Sequence, residues 1–255
     1  MSYNDSTFDA SGRCVPRHSE GSPLKTRGYF RCQQPEIDYP AIYQRVVRHL
    51  GQPNISADEF ANRAEGIKAK LQKDSQTAGL LNAVAVPILL PKAAYIDLAA
   101  ALNDRYLPAV ASAFTEVFPD NRFVNHHPIS DVLSVQPESR HQKLLDTLAQ
   151  QDVVGYFFVA LGEYSLPAAL QKVSELPEHL LLAGGVDTAA ALIACPSLLL
   201  REDGYPPMLW LAALSGARQD AAYHFEAYGY NLTFNYRPHF NQVAEYWNSG
   251  LVVLG

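Results

Sequence analysis

The sequence predicts a single α+β domain, with N-terminal helices followed by a mixed sheet ending in an antiparallel hairpin. Two observations carry this reading. Apolar residues recur at helical spacing through the early part of the chain, and short apolar or alternating runs bounded by Gly and Pro take over later. The clearest alternation lies in residues 221–237, Ala-Ala-Tyr-His-Phe-Glu-Ala-Tyr-Gly-Tyr-Asn-Leu-Thr-Phe-Asn-Tyr-Arg.

In chain order, residues 1–35 are rich in Ser, Arg, Gly and Pro and show no sustained period. They are expected to form a disordered or loosely attached arm, leaving residues 36–255 as the domain. Ile37, Ile42, Tyr43, Val46, Val47 and Leu50 share one helical face, and Gly51 and Pro53 stop that helix. Ser56-Ala-Asp-Glu59 is a capping box opening a second helix with Phe60, Ala64, Ile67 and Leu71 aligned. Residues 83–90 read as a strand, and Pro87 within it places that strand at an edge or a bulge.

Helices are expected over 93–102 and 107–118, then a loop over 119–137 containing Asn125-His126-His127-Pro128. A helix around 138–150 leads to the unbroken apolar run 153–161, a strand buried on both faces. Residues 167–176 read as the next helix, 180–183 as a strand, and 187–194 as a helix with Asp187 as its N-cap. Residues 208–214 read as another buried strand, and 251–254 as a last one.

In the hairpin, Gly229-Tyr230 suits a two-residue type II′ connection. That register sets Tyr223 opposite Tyr236, Phe225 opposite Phe234 and Ala227 opposite Leu232 on a core face. His224 opposite Asn235, Glu226 opposite Thr233 and Tyr228 opposite Asn231 form a polar face, expected to be solvated.

The formal net charge of −6, with no stripe of Lys and Arg, argues against duplex nucleic acid or an anionic membrane as the main partner. Arg13, Arg17, Lys25, Arg27 and Arg31 make the arm mildly basic, as a solvated tail usually is. Three cysteines, Cys14, Cys32 and Cys195, are too few and too scattered for a disulfide framework, so a reducing compartment, the cytoplasm, is expected. The first residues have no apolar h-region of a secretory signal. The apolar runs 78–90 and 180–200 are too short for a bilayer or are broken by Gly184, Gly185, Asp187 and Pro196.

Several segments together are similar to a family of uncharacterised, mainly actinobacterial, bacterial domains. They are Asp38-Tyr-Pro40, Ser56-Ala-Asp-Glu-Phe60, Gly155-Tyr-Phe-Phe-Val-Ala160, the helix start around Ser165, Leu181-Leu-Ala-Gly-Gly-Val186 and Pro196-Ser-Leu-Leu199. Where that family often has acidic and glycine residues before the later helix, this chain has Ala183-Gly184-Gly185. The family carries no assigned function, so the resemblance implies a single domain and transfers no catalytic residue.

Among chemical candidates, His224 and Glu226 share the polar hairpin face and His239 lies just past it, three side chains that could converge on a metal. Their spacing fits no established metal motif, and solvated cross-strand pairing is the commoner role of such a face. His126 and His127 are adjacent in a Pro-bounded loop. Cys195 closes an apolar helix, whose C-terminal dipole opposes a thiolate, so it reads as a small buried hydrophobe. Cys14, His18 and Cys32 lack a fourth zinc ligand at suitable spacing. Gly184-Gly185 before a helix could admit a phosphate, but the third glycine of a dinucleotide fingerprint is missing. Ser22-Pro-Leu-Lys25 imitates a Ser-x-x-Lys pair without the helix that would align it.

The leading expectation is a soluble cytoplasmic domain that binds a protein partner or small ligand without catalysis. Its basis is the lack of any catalytic motif together with Tyr205, Trp210, Tyr228, Tyr230, Tyr246 and Trp247, aromatic residues of the kind favoured at interfaces between chains, including copies of one chain in a homo-oligomer. The alternative is a hydrolase or lyase using His224 and Glu226, with or without a metal; no cofactor is assigned.

Overall fold

The computed structural model describes residues 7–200 and 204–255. Helix α1 (Tyr39–Leu50) starts where the Asp38 carboxylate accepts the Ala41 N–H at 3.0 Å. Helix α2 (Ala57–Lys73) starts where Ser56 Oγ accepts the Glu59 N–H at 3.1 Å, while the Glu59 carboxylate turns to Arg63. Strand β1 (Val84–Leu90) follows.

The helix expected over 93–102 begins later, as α3 (Leu98–Ala101), because Asp97 caps it by accepting the N–H groups of Ala99 and Ala100. It continues through a π-turn (Leu102–Tyr106) into α4 (Leu107–Val117). Pro108 has no N–H to give the preceding turn, and the wider turn accommodates its ring.

The expected loop 119–137 holds two short strands, β2 (Phe123–Asn125) and β3 (Ser134–Val135). Neither is long enough to show alternation. Helix α5 (Gln142–Gln150), strand β4 (Val153–Gly162), helix α6 (Leu166–Glu175), strand β5 (Leu180–Leu182) and helix α7 (Gly185–Ala194) lie close to their expected places. The run 208–214 divides into β6 (Met208–Trp210) and β7 (Leu214–Ser215), and the hairpin is β8 (Ala221–Tyr228) and β9 (Asn231–Pro238). The last strand, β10, spans Trp247–Leu254.

The fold is α+β, with a mixed eight-stranded sheet in the order β1-β4-β10-β6-β8-β9-β2. Strand β10 is central. It runs antiparallel to β4 on one side, and on the other pairs parallel with β6 and antiparallel with β5. Strands β3 and β7 form a separate two-stranded sheet.

Pro87 sits in edge strand β1, as its chemistry requires. The Gln34 side chain covers that edge by bonding both the N–H and the C=O of Ala85. Residues two apart in a strand face the same edge, so the donor that Pro87 lacks belongs to this outer side.

Every residue of α7 is buried. The helix packs against β1, α1, α4 and the π-turn, which explains why its sequence is apolar apart from Asp187 and Thr188 near its start. Its N-cap is Gly184, which corrects the expectation of Asp187. Asp187 lies one turn inside and accepts the Gly184 N–H at 3.0 and 3.1 Å.

The expected loose arm is also corrected over its described residues. Residues 7–35 have almost no regular structure but are docked: Phe8, Arg13, Cys14 and Ser22 are buried. Cys14 N–H donates to Ala160 O, Ser165 N–H donates to Gly21 O, and Tyr164 Oη donates to Cys14 O. The arm adheres through isolated anchors and backbone bonds, neither of which leaves a periodic signal. Residues 1–6 lie outside the described residues.

Candidate functional site

The hairpin has the predicted register at every pair from Tyr223–Tyr236 to Tyr228–Asn231. Its turn differs: Gly229 and Tyr230 have φ of 57° and 66°, the two positive values of a type I′ rather than a type II′ connection. Phe225 and Phe234 are buried on the core face with rings 4.9 Å apart, and Tyr223 stacks on Phe234 at 5.5 Å.

The polar face is not solvated at His224, which has 0% exposure. Strand register sets Trp210 opposite His224, and the two rings meet edge to face at 4.9 Å. Trp210 also touches Trp247 at 5.1 Å and His239 at 5.9 Å. Tyr246 lies against Trp247, and Phe30 of the arm lies against Tyr246. The sequence missed this cover because it comes from a neighbouring strand and from the arm, both remote along the chain.

His224 Nε2 lies 3.7 Å from Glu226 Oε1, beyond hydrogen-bond range. Among the described residues neither imidazole nitrogen has a hydrogen-bond partner, nor do the indole N–H groups of Trp210 and Trp247. Burial pushes the His224 pKa down, so the ring is neutral at pH 7. Burial alone would raise the Glu226 carboxyl, but the Arg237 charge and the Asn235 N–H beside it help hold the carboxyl below its usual range. Asn235 Nδ2 donates to Glu226 Oε1 at 3.1 Å, and Arg237 Nη2 stands 3.7 Å from it. The pair is a neutral imidazole beside an ionised carboxylate.

His239 does not join them on a common centre. It meets Trp210, its Nδ1 accepts the Asn241 N–H at 3.1 Å, and burial lowers its pKa. No three His, Cys, Asp or Glu side chains among the described residues are grouped as metal ligands.

The other candidates separate. His126 and His127 are exposed at the end of β2. Burial pushes the Cys195 thiol up to about 11 and the Cys14 thiol up to about 12, so both are protonated at neutral pH. His18 is exposed. Ser22 is buried and takes a hydrogen bond from Arg13, whereas Lys25 is exposed. Gly184 and Gly185 serve packing: a Cβ on them would lie 2.6 Å from His141 Nε2 and 2.6 Å from Leu102 Cδ1. The N-terminus of α7 is therefore filled by the protein's own side chains.

One buried polar pair escaped the sequence reading. His141 Nδ1 lies 3.8 Å from Asp187 Oδ2, and neither residue is measurably exposed beyond 1%. Burial raises the Asp187 pKa, opposed by His141 and the Gly184 N–H. The available signal was an Asp inside an otherwise apolar helix just after Gly-Gly.

Of the aromatic residues expected at an interface, Trp210 and Trp247 are core, while Tyr205, Tyr228 and Tyr230 are exposed. A cleft of about 710 Å³ opens between α6, the β3–β7 ribbon and the base of the hairpin. Its polar lining includes Ser134, Gln136, Ser215, Gln219, His239 and Asn241, with Leu166, Leu170 and Leu214 among its apolar walls. Arg218 and Asp220, also in the lining, pair with each other at 3.0 and 2.8 Å. A wider cleft of about 1000 Å³ near the hairpin turn is bounded partly by Leu200, next to the undescribed residues 201–203.

Comparison with family models, curated proteins and solved structures gave no match.

Proposed function

We propose that this chain is a non-catalytic binding domain that takes a small, neutral, hydroxylated ligand of the sugar class in the cleft beside His239. The observation that carries the reading is the convergence of hydroxyl, amide and imidazole groups from separate segments in a space of ligand size, about 710 Å³. The charges in its lining cancel, because Arg218 and Asp220 form a two-bond pair. His239 is neutral at pH 7, since burial lowers its pKa. A neutral array of donors and acceptors beside apolar walls suits hydroxyl groups on a compact carbon frame better than it suits an ion.

The acid–base alternative has less support. A substrate could reach His224, which has no exposed surface, only by displacing Trp210 or the residues that cover it.

Thermal melting of the full chain against a set of monosaccharides tests the proposal. Ligand at about 100 times its Kd adds about 2.7 kcal/mol to stability. At about 2–4 °C per kcal/mol for a chain of this size, the midpoint should rise by roughly 5–10 °C. Asp220→Ala, which frees Arg218, should lose that rise. No rise with any sugar, or an equal rise in the variant, refutes the proposal.

A further inference from the structure

A second pocket, of about 170 Å³, lies between the arm and the ends of β4 and β10. Its walls include Arg13, Ser11 and Thr26 from the arm and Asn82, Gly162 and Asn248 from the body of the domain. Two independent features there point to a ligand.

First, Arg13 is a buried cation, 6% exposed, and takes part in no ion pair among the described residues. Its Nε donates to Gly162 O at 2.7 Å, and its Nη2 donates to Ser22 Oγ at 2.9 Å and Pro23 O at 3.0 Å. All three acceptors are neutral, the guanidinium lies over the Tyr164 ring at 5.4 Å, a contact that carries no negative charge, and Nη1 makes none of the described hydrogen bonds. The nearby carboxylates are engaged elsewhere, Asp9 with Ser11 and the Arg13 backbone N–H, Glu163 with Thr26. Arginine is rarely buried unless paired with an anion.

Second, Asn248 is 8% exposed, and its Oδ1 has no hydrogen-bond partner among the described residues. A buried acceptor left in that state is costly, and native proteins keep few of them.

We infer that this pocket is a site for a small carboxylate bearing a hydrogen-bond donor, the chemistry of a short hydroxy acid or amino acid. The carboxylate pairs with the Arg13 guanidinium and the donor meets Asn248 Oδ1. The volume suits a handful of heavy atoms. Half of the wall belongs to the arm, so occupancy fastens the arm to the sheet.

The test is NMR titration of the full ¹⁵N-labelled chain, following the Arg13 Nε–H and the Asn248 side-chain amide. Three probes of similar size separate the contributions: glycolate, acetate without the donor, and glycolamide without the charge. Glycolate should bind about tenfold tighter than either of the others. Asn248→Leu should bring glycolate down to acetate while acetate binding persists. Glycolate that leaves both resonances unmoved at millimolar concentration overturns the inference, as does glycolate no tighter than acetate. Because Arg13 variants could unfold the arm, Asn248→Leu is the deciding variant. The cleft beside His239 plays no part in either outcome.

Discussion

Replacing His224 by Ala and by Leu separates an interior histidine from a solvated one. The ring is fully buried against Trp210, with both nitrogens unpartnered among the described residues. Ala leaves a cavity beneath the indole costing about 3–4 kcal/mol, from which the removal of unsatisfied polar atoms returns about 1–2. His224→Ala should therefore lose about 2 kcal/mol. Leu keeps most of the volume and should be about 1 kcal/mol more stable than the parent.

Urea unfolding followed by the fluorescence of Trp210 and Trp247 at about pH 7.5 reads both changes. The pH dependence is a second check. Burial holds the folded-state pKa of His224 and of His239 below the ordinary 6.5, so the native state binds fewer protons than the unfolded chain. Their contribution is complete above pH 6.5 and is lost as the pH falls through that value toward the folded-state pKa. His224→Leu should lose stability less steeply below pH 6.5 than the parent. A His224→Ala variant within about 0.5 kcal/mol of the parent, with Leu no better than Ala, would refute the burial argument.

Three further outcomes are expected. Phe225→Ala or Phe234→Ala should cost about 3–5 kcal/mol in the same urea assay, because both rings are fully buried; a loss below about 1 kcal/mol would mean that the core face is misassigned. Deleting residues 1–23 should lower the melting temperature by about 4 °C or more, since Phe8, Arg13 and Cys14 are buried; an unchanged midpoint would restore the loose-arm expectation. A neutral thiol reagent should leave Cys14 and Cys195 unmodified until the protein unfolds, and rapid native labelling of either would contradict their burial and raised pKa values.

The sequence revealed features that repeat locally. The hairpin register followed from alternation around Gly229-Tyr230, the edge position of β1 from Pro87, and α1 and α2 from their capping residues and apolar stripes. What stayed hidden depends on residues brought together from afar. The central place of β10, the covering of His224 by Trp210 and the meeting of His141 with Asp187 leave no periodic trace. The docking of the arm is hidden for a related reason. Its anchors, Phe8, Arg13 and Cys14, are isolated in sequence, and its bonds to Ala160 and Ser165 are made by backbone groups that every residue carries. His224 and Glu226 are legible as a pair, but the cleft beside His239 is assembled from four separate segments that only folding brings together.

The central claim, that recognition occurs in the cleft and not on the His224–Glu226 face, is tested most directly by mapping amide shifts of the full chain as a monosaccharide is added. Perturbations are expected at Ser215, Gln219, Asp220, His239 and Asn241, with Glu226 and Asn235 unmoved. Shifts centred on Glu226 and Asn235, with the cleft residues silent, would contradict it.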